Sequence, residues 1–395
     1  MPRHLTRAAL TALPIVAGGL APALVTAPSY AAAPAAQTST STYGGAVFVQ
    51  TDDLGHNSIV SFKRDANGHL DRVGEFLTGG RGGVEQNVPL DSLASQDSLT
   101  FDREHRLLFA VNAGSSTVTS FRVSGAHLTR LQTVRSGGVF PVSVSAGHDR
   151  LFVLNAGGSG NVTGYRISPT GRLTTLPGGS QDLGLANAAR PDFITAPADI
   201  VQTADGDHVI VTTKANNTID VFNVRHGGLS APVKNPAAST VPFALSFDSH
   251  GRLAVANAGD SSVSSYRLRA DGTLQTIAAG TQDGQQALCW LVGTGDTFFG
   301  GNAGSSSISA FSIAGDGTVS LTGTPDGVVA RTGGGTGGTI DLAITTDQRF
   351  LYAENAFAGT VEGYRIQQDH TLQLVDTAAG LPQFDGHGME GLVAL

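Results

Sequence analysis

Cysteine, tryptophan and charge are all scarce in this sequence of 395 residues, which contains one Cys, one Trp and 14% charged residues. A single cysteine excludes an internal disulfide and any metal site built from several cysteines, so packing must stabilise the fold. The formal net charge is −8 and the sequence shows no basic stripe, which argues against nucleic-acid binding. Beyond the N-terminal segment no apolar run approaches the roughly 20 residues of a membrane-spanning helix, so we expect no membrane span in the mature protein.

The N-terminal segment has the pattern of a secretory signal peptide. Two arginines precede the apolar run Ala8–Ala27, which prolines and glycines interrupt. We predict a signal peptide over residues 1–31 with cleavage between 29 and 36, and a flexible linker over 32–43. The protein is therefore expected to be secreted, and the absence of a cysteine after the apolar run argues against a lipid anchor.

One segment recurs along the rest of the chain. The run LFAVNAGSSTVTSFRV has seven copies, which begin at Val47, Leu108, Leu151, Val209, Leu253, Phe298 and Leu351. Each copy is typical of a β-hairpin, because an apolar run, a Gly/Asn/Ser turn and an alternating run follow one another. A further short strand follows every copy, and a run such as PVSVS precedes six of them, so the unit has four strands. Seven such units predict an all-β fold, a seven-bladed β-propeller of four-stranded antiparallel blades.

The two ends of the chain complement each other. The first copy lacks the preceding inner strand, while the C-terminal segment GMEGLVAL, Gly388–Leu395, resembles an inner strand without the rest of a blade. We predict that this segment completes the first blade and closes the ring, so that residues 44–395 form a single propeller domain.

Residues that repeat with the blades are interpreted as parts of the scaffold. Five asparagines end the second strand of a predicted blade, namely Asn112, Asn155, Asn257, Asn302 and Asn355. We interpret them as turn formers, because asparagine caps nearby backbone groups and tolerates a left-handed φ. Cys289 and Trp290 lie within an inner-strand run and are predicted to be core residues.

Carboxylates break the repeat where the inner strands enter the channel. Alignment of the inner strands puts seven residues at one level, namely Ser98, Ser143, Asp199, Ala244, Cys289, Asp341 and Gly391. Asp199, Asp341 and Glu390 are candidate catalytic residues, because buried acids without partners are costly and are often functional. His387, which carboxylates flank in FDGHGMEG, is a fourth candidate as a general base or cation ligand.

Three long connections between blades, residues 78–96, 177–196 and 323–338, carry further polar residues. The candidate substrate-binding residues on or beside them are Asp97, Asn87, Arg81, Arg190 and Arg331. The sequence requires no cofactor, a divalent cation is compatible with the carboxylates, and the metal-binding residues are unknown.

The repeat V-x-N-A-G-x-x-[ST]-V-x-x-[FY]-R, followed by an x-G-x-L turn, resembles the lactonase-type family of seven-bladed propellers from about Gly44 to Leu395. That family includes propeller-class 6-phosphogluconolactonases and carboxymuconate cyclases, so the resemblance implies the propeller fold and a lactonase-like hydrolase or cycloisomerase. The inner strands here begin FPVSV, APADI and VPFAL, without the Pro-His-His-like start of members that act on lactones.

Two functions remain open from the sequence. The first is an enzyme that acts on an extracellular lactone or related cyclic ester. In it Asp199 or Asp341 would hold a cation or activate water, and Arg190 or Arg81 would orient an anionic substrate. The second is a non-catalytic secreted propeller that binds a small ligand or a surface partner through its channel-mouth loops. In either case we expect a monomer.

Overall fold

The computed structural model describes residues 43–225, 228–335, 338–383 and 389–395. The predicted signal peptide, residues 1–31, the predicted linker up to residue 42 and the candidate His387 lie outside the described residues. The described chain belongs to one compact unit. No helix in these ranges is long and apolar enough to span a membrane.

The described strands form seven antiparallel sheets, the blades. Blade 1 contains β1 (Tyr43–Gln50), β2 (Ser58–Asp65), β3 (Leu70–Leu77) and β30 (Leu392–Ala394). Blade 2 contains β4 (Leu99–Asp102), β5 (Leu107–Asn112), β6 (Thr117–Ser124) and β7 (His127–Arg135). Blade 3 contains β8 (Pro141–Gly147), β9 (Arg150–Asn155), β10 (Asn161–Ile167) and β11 (Leu173–Asp182).

The other four blades follow in chain order. Blade 4 contains β12 (Pro197–Gln202), β13 (His208–Thr213), β14 (Thr218–Arg225), β15 (Gly228–Leu229) and β16 (Val233–Pro236). Blade 5 contains β17 (Pro242–Phe247), β18 (Leu253–Asn257), β19 (Ser262–Leu268) and β20 (Leu274–Gln282). Blade 6 contains β21 (Leu288–Thr294), β22 (Thr297–Asn302), β23 (Ser307–Ile313), β24 (Val319–Leu321) and β25 (Val328–Arg331). Blade 7 contains β26 (Thr339–Ile344), β27 (Phe350–Asn355), β28 (Thr360–Ile366) and β29 (Leu372–Ala378). A single-turn 3-10 helix spans Ala113–Ser115, and Thr332–Gly335 forms an irregular turn with left-handed φ at Gly333 and Gly334.

Each repeated hairpin forms the second and third strands of a blade, as predicted. In blades 4 and 6 the outermost strand is split into two pieces, β15 with β16 and β24 with β25, which pair with the same third strand. The connection predicted over 323–338 therefore contains a strand, and this part of the prediction is wrong. The short run VVAR pairs with β23 even though glycines flank it on both sides.

The C-terminal strand closes the ring, which confirms the predicted architecture. β30 pairs antiparallel with β1, with Phe48 opposite Val393 and Val49 opposite Leu392. Gly45 allows the close approach, because a Cβ there would lie 1.8 Å from the Leu395 carbonyl oxygen. The inner strands of successive blades contact one another around the whole circle, including β30 with β4.

The apolar core lies between the blades. Clusters of fully buried aliphatic and aromatic side chains join blades 2 to 4 and blades 5 to 7, and smaller clusters join the remaining pairs. Without a disulfide, burial of this apolar surface holds each blade to the next.

The repeated asparagines are buried parts of the hairpin turns. Asn257 donates to the hydroxyls of Ser262 and Ser264 across the turn at 3.1 and 3.0 Å, and Asn302 makes the equivalent bonds in blade 6. The expected left-handed φ is wrong for all five asparagines, since that conformation falls on the last turn residue, such as Ser261. The amide side chain therefore stabilises the turn without being its strained residue.

Candidate functional site at the channel mouth

One edge of every inner strand faces the central channel, where its backbone N–H groups have no neighbouring strand. The strand registers place seven equivalent residues at one level, Leu99, Val144, Ile200, Leu245, Leu291, Leu342 and Leu392. A buried N–H group without an acceptor is costly. The partners of these amides therefore show what the channel carboxylates do.

Asp199 and Asp341 each bind two of these amides. The Asp199 carboxylate accepts hydrogen bonds from the Ile200 N–H at 2.7 Å and from the Leu245 N–H of the next blade at 2.8 Å. Asp341 repeats this arrangement with the following N–H of its own strand and with the Leu392 N–H of blade 1, both at 2.8 Å. Each carboxylate thus joins its own blade to the next, and the catalytic role of both stays a prediction.

The equivalent N–H group of blade 6, that of Leu291, has no acceptor on the preceding blade, because Ala244 has no polar side chain. The Leu291 N–H donates to Gln96 Oε1 at 2.9 Å. The strand register pairs Leu291 with Gly300, as it pairs Leu245 with Val255 in blade 5. Trp290, and not Cys289, therefore lies at the level of Asp199, so the sequence alignment is wrong by one residue in this blade.

Residues 88–97, which we call the mouth segment, lie across the channel mouth in the connection between blades 1 and 2. Gln96 donates its backbone N–H to the Ala198 carbonyl of blade 4 at 3.0 Å. The Ser95 hydroxyl donates to the Val142 carbonyl of blade 3 at 2.8 Å, and the Trp290 indole donates to the Ser95 carbonyl at 2.9 Å. These bonds fix the mouth segment to three separate blades.

Glu390, next to the closing strand, binds the mouth segment. Its carboxyl accepts a hydrogen bond from the Leu93 N–H at 3.0 Å, lies 2.7 Å from the Ser95 hydroxyl oxygen, and shares a further hydrogen bond with the Asp91 carboxyl. Burial and the neighbouring Asp91 charge raise the pKa of Glu390 well above its usual range. Burial also raises the pKa of Asp91, while the bond from Glu390 and the nearby Lys214 charge oppose that rise. The two carboxyls therefore titrate as a coupled pair, and burial favours the protonated form of each.

The charge of Asp97 affects the pKa values of two of the predicted acids, Asp199 and Asp341. Burial raises the pKa of Asp97 to about 7. The pKa values of Asp199 and Asp341 are also raised, first by burial and then by the negative charge of Asp97. Asp97 thus lies close to both blade-joining carboxylates.

The other predicted substrate-binding residues do not converge on these acids. Asn87 donates to the Asp192 carboxylate at 2.5 Å, and Arg190 donates to two backbone carbonyls of the connection after blade 1, so both residues join two rim loops. Arg81 is exposed and donates to a backbone carbonyl of blade 2 at 3.3 Å. Arg331 lies on β25, an outer strand of blade 6.

A pocket of about 270 Å³ opens between the mouth segment and blades 4, 5 and 6. Its walls are mainly apolar and include Leu90, Phe193, Ile194, Phe243 and Trp290. The ionisable side chains in the lining are Asp91, Lys214 and Cys289. An apolar pocket with a few convergent polar groups is the arrangement expected of a small-molecule site.

Lys214 brings a buried positive charge into this pocket, with only 2% of the residue exposed. Its Nζ donates to the Ala94 carbonyl of the mouth segment at 2.6 Å and lies 5.2 Å from the centre of the Phe243 ring. The ammonium therefore has a hydrogen-bond acceptor, an aromatic face and the nearby Asp91 carboxyl as partners. Burial raises the pKa of the Cys289 thiol to about 12, so this cysteine is not a thiolate nucleophile at neutral pH.

Neither Lys214 nor Asp91 is among the residues that the sequence patterns predict. A signal for Lys214 was present, because the residue after the repeated asparagine is alanine in five copies, Ala113, Ala156, Ala258, Ala303 and Ala356. Lys214 takes that position in blade 4 and Asp52 takes it in blade 1. Asp91 carries no such signal, since it lies in a connection that has no counterpart in the repeat.

The described residues contain one group of three His and acidic side chains whose ligand atoms lie within 4.8 Å of one another, Asp248, His250 and Asp296. The Arg252 guanidinium already bonds to the Asp248 carboxylate there, so this group has its own cation. The channel-mouth carboxylates do not form such a group, and the divalent cation stays a prediction.

The comparison with protein families agrees with this architecture. The model of the family described as lactonase, seven-bladed β-propeller, matches residues 77–181 and 174–292, which is more than half of the chain. The chain belongs to this lactonase family of seven-bladed β-propellers. No curated protein matches the chain.

Solved structures show the same fold at low sequence identity. A putative 6-phosphogluconolactonase from Bacteroides fragilis is 16% identical, with a TM-score of 0.65 and coverage of 90% of this chain and 98% of that chain. The periplasmic gluconolactonase of Pseudomonas aeruginosa is 17% identical, with a TM-score of 0.67 and coverage of 88% of this chain and 98% of that chain. At these identities the likeness concerns the fold alone.

Proposed function

We propose that this protein hydrolyses a small lactone in the pocket at the channel mouth. One observation carries the proposal: Asp91 and Lys214, a carboxyl and an ammonium, are buried in the lining of one otherwise apolar pocket of about 270 Å³. The names of the two lactonase-type neighbours favour the same reaction class. Lactone hydrolysis needs a base for water and a positive group for the developing oxyanion, and these two side chains supply both.

The reaction follows from these roles. Asp91, as carboxylate, takes a proton from a water molecule while the water oxygen forms a bond to the lactone carbonyl carbon. The Lys214 ammonium stabilises the negative charge that develops on the carbonyl oxygen. The ring C–O bond then breaks, Asp91 returns the proton to the leaving alkoxide, and the product is an open hydroxy acid. Because burial raises the pKa of Asp91, its basicity is closer to that needed at neutral pH than that of an exposed aspartate.

Site-directed variants test this assignment. Asp91→Asn keeps an oxygen for the Leu93 N–H but removes the base, and Lys214→Met removes the ammonium at similar length. We expect each variant to lose about 100-fold or more in kcat/KM, as is usual for such groups. Asp271→Asn, in an exposed turn, is the matched control and should retain full activity. Full activity of folded Asp91→Asn, or no hydrolysis of any lactone by the unaltered protein, would overturn the proposal.

Ligand binding without turnover is the second candidate function. It is favoured because Asp199, Asp341 and Glu390 all accept hydrogen bonds from this chain's own groups. Calorimetry with a lactone that is recovered unchanged from the mixture would support binding alone. Release of the hydroxy acid would support the enzyme.

We also propose that the protein is exported and acts as a monomer. The basic and then apolar N-terminal residues 1–31 support export. N-terminal sequencing of protein from the culture medium should start between residues 29 and 37, and light scattering should give the mass of one chain. Recovery of full-length protein only from the cell interior would contradict export.

A further inference from the structure

The walls of the mouth pocket offer few hydrogen-bonding groups to a ligand. The Trp290 indole N–H is already bound to the Ser95 carbonyl at 2.9 Å. The backbone N–H groups of Ala258, Gly259 and Ala303 donate to backbone carbonyls that precede the inner strand of the same blade, at 2.9, 3.1 and 3.0 Å. Apart from this indole, the polar side chains of the lining are the ones assigned to the reaction, Asp91 and Lys214, together with the neutral Cys289 thiol.

This lining discriminates between classes of lactone. A sugar lactone carries several hydroxyls, and each would lose its water in the pocket without finding a partner on the apolar wall. A phosphorylated sugar lactone would also need several cationic donors, and the described lining contains a single cation, Lys214. By contrast, an alkyl or aryl substituent would pack against the apolar wall. Removal of its apolar surface from water would contribute favourably to the binding free energy. The wall residues are Leu90, Phe193, Ile194 and Phe243.

We infer that the substrate is a small lactone with an apolar alkyl or aryl substituent, and not a polyhydroxylated or phosphorylated sugar lactone. This inference rests on the proposed function, because it assigns the substrate of the same site. The ring carbonyl lies against Lys214 and Asp91, and the substituent occupies the apolar wall formed by Phe193 and its neighbours. The cavity volume, near the low end of ligand sites, requires the molecule to be small.

Three lactones with the same six-membered ring test the inference on the intact protein. δ-Decalactone carries an alkyl chain, glucono-δ-lactone carries hydroxyls, and δ-valerolactone has no substituent. We expect kcat/KM for δ-decalactone to exceed that for glucono-δ-lactone by at least about 100-fold, since a pocket rejects groups whose hydrogen bonds it cannot satisfy. Equal rates, or a preference for glucono-δ-lactone, would overturn the inference but leave the proposed hydrolysis intact. Absence of hydrolysis for all three would overturn both.

A variant of the apolar wall distinguishes contacts with the substituent from contacts with the lactone ring. Phe193→Ala should lower kcat/KM for δ-decalactone about tenfold and leave the value for δ-valerolactone within about twofold, because only the alkyl chain contacts that wall. Phe357→Ala, an exposed aromatic residue outside the pocket lining, is the matched control and should change neither value. An equal loss for both substrates in Phe193→Ala would contradict the assigned orientation.

Discussion

Asp52 and Lys214 occupy the same position of the repeat, in blades 1 and 4, and their surroundings differ in a way that explains the channel mouth. Lys214 has a carbonyl acceptor, an aromatic face and a nearby carboxyl. Asp52 is buried with one oxygen bound by the Gln50 amide at 2.9 Å, while its Oδ2 has no hydrogen-bond partner among the described residues. The Lys214 ammonium thus has several partners at this acidic mouth, whereas the second carboxyl oxygen of Asp52 has none among the described residues.

Several acidic side chains lie near blade 1 at the channel mouth, including Asp52, Asp341 and Glu354. Glu354 is fully buried there with both carboxyl oxygens unpartnered in the described part of the chain. Burial raises the pKa of Glu354 well above its usual range, and the charges of Asp341, Asp52 and Asp91 raise it further. Burial and the neighbouring acids thus both favour the protonated form of this side chain.

The largest effect is expected from the strand that completes the acidic side. Deletion of Glu390–Leu395 removes the partner of β1 and the carboxyl that binds the mouth segment. We expect loss of the cooperative thermal transition measured by circular dichroism, because the first blade then exposes an unpaired edge. Gly45→Ala should also destabilise the protein, because its Cβ would clash with the Leu395 carbonyl next to the closing strand. A truncated protein with an unchanged transition would show that the ring does not depend on its closure.

The next largest effect concerns the two blade-joining carboxylates. Asp341→Ala and Asp199→Ala each leave two buried N–H groups without their acceptor, which costs about 2–6 kcal/mol in the free energy of unfolding at about 1–3 kcal/mol per group. Asp341→Asn retains one acceptor oxygen and should cost less. Urea unfolding measures these differences. Loss of lactone hydrolysis in Asp199→Asn at unchanged stability would instead favour the catalytic role that the sequence predicts.

The sequence predicts the fold well because each blade is a local, repeated pattern. The hairpins and the blade number follow from alternation and turn residues that lie within one repeat, and the closing strand follows from the inner strand that the first repeat lacks. The site depends on contacts between distant parts of the chain. That Asp199 binds the Leu245 amide, or that Gln96 serves blade 6, requires knowing how neighbouring blades and the mouth segment are placed.

Two particular errors illustrate this limit. The sequence alignment puts Cys289 in place of Trp290 at the level of Asp199, because the run ALCWLVG is apolar throughout and does not show which residue pairs with Gly301. Asp91 belongs to a connection without a counterpart in other blades, so no comparison between repeats marks it. Lys214 was detectable, because it replaces a repeated alanine.

A smaller effect is expected from pH, through the acids of the channel. The pKa of Asp97 is about 7 in the folded protein because of burial, against about 3.9 in an unfolded chain. Between these pH values the folded state holds a proton that the unfolded state has lost, so the free energy of unfolding decreases as the pH rises. We expect Asp97 to contribute about 1–3 kcal/mol of this decrease between pH 5 and pH 8. Asp97→Asn should reduce the dependence by that amount, while the other buried acids still contribute, and Asp271→Asn should leave it unchanged; equal slopes in both variants would remove Asp97 as a source.

The smallest effects concern Asp52 and Lys214 themselves, and they should have opposite signs. Lys214→Met leaves the Ala94 carbonyl without its donor and should lower the free energy of unfolding by roughly 1–2 kcal/mol. Asp52→Asn removes an acid that lacks a cationic partner, keeps an oxygen for the Gln50 amide and suits the left-handed φ of 53° at this position. At pH 8 it should therefore be neutral or stabilising by up to about 1 kcal/mol. A loss of stability in Asp52→Asn equal to that in Lys214→Met would mean that the acidic side has a stabilising partner as effective as the one that Lys214 has.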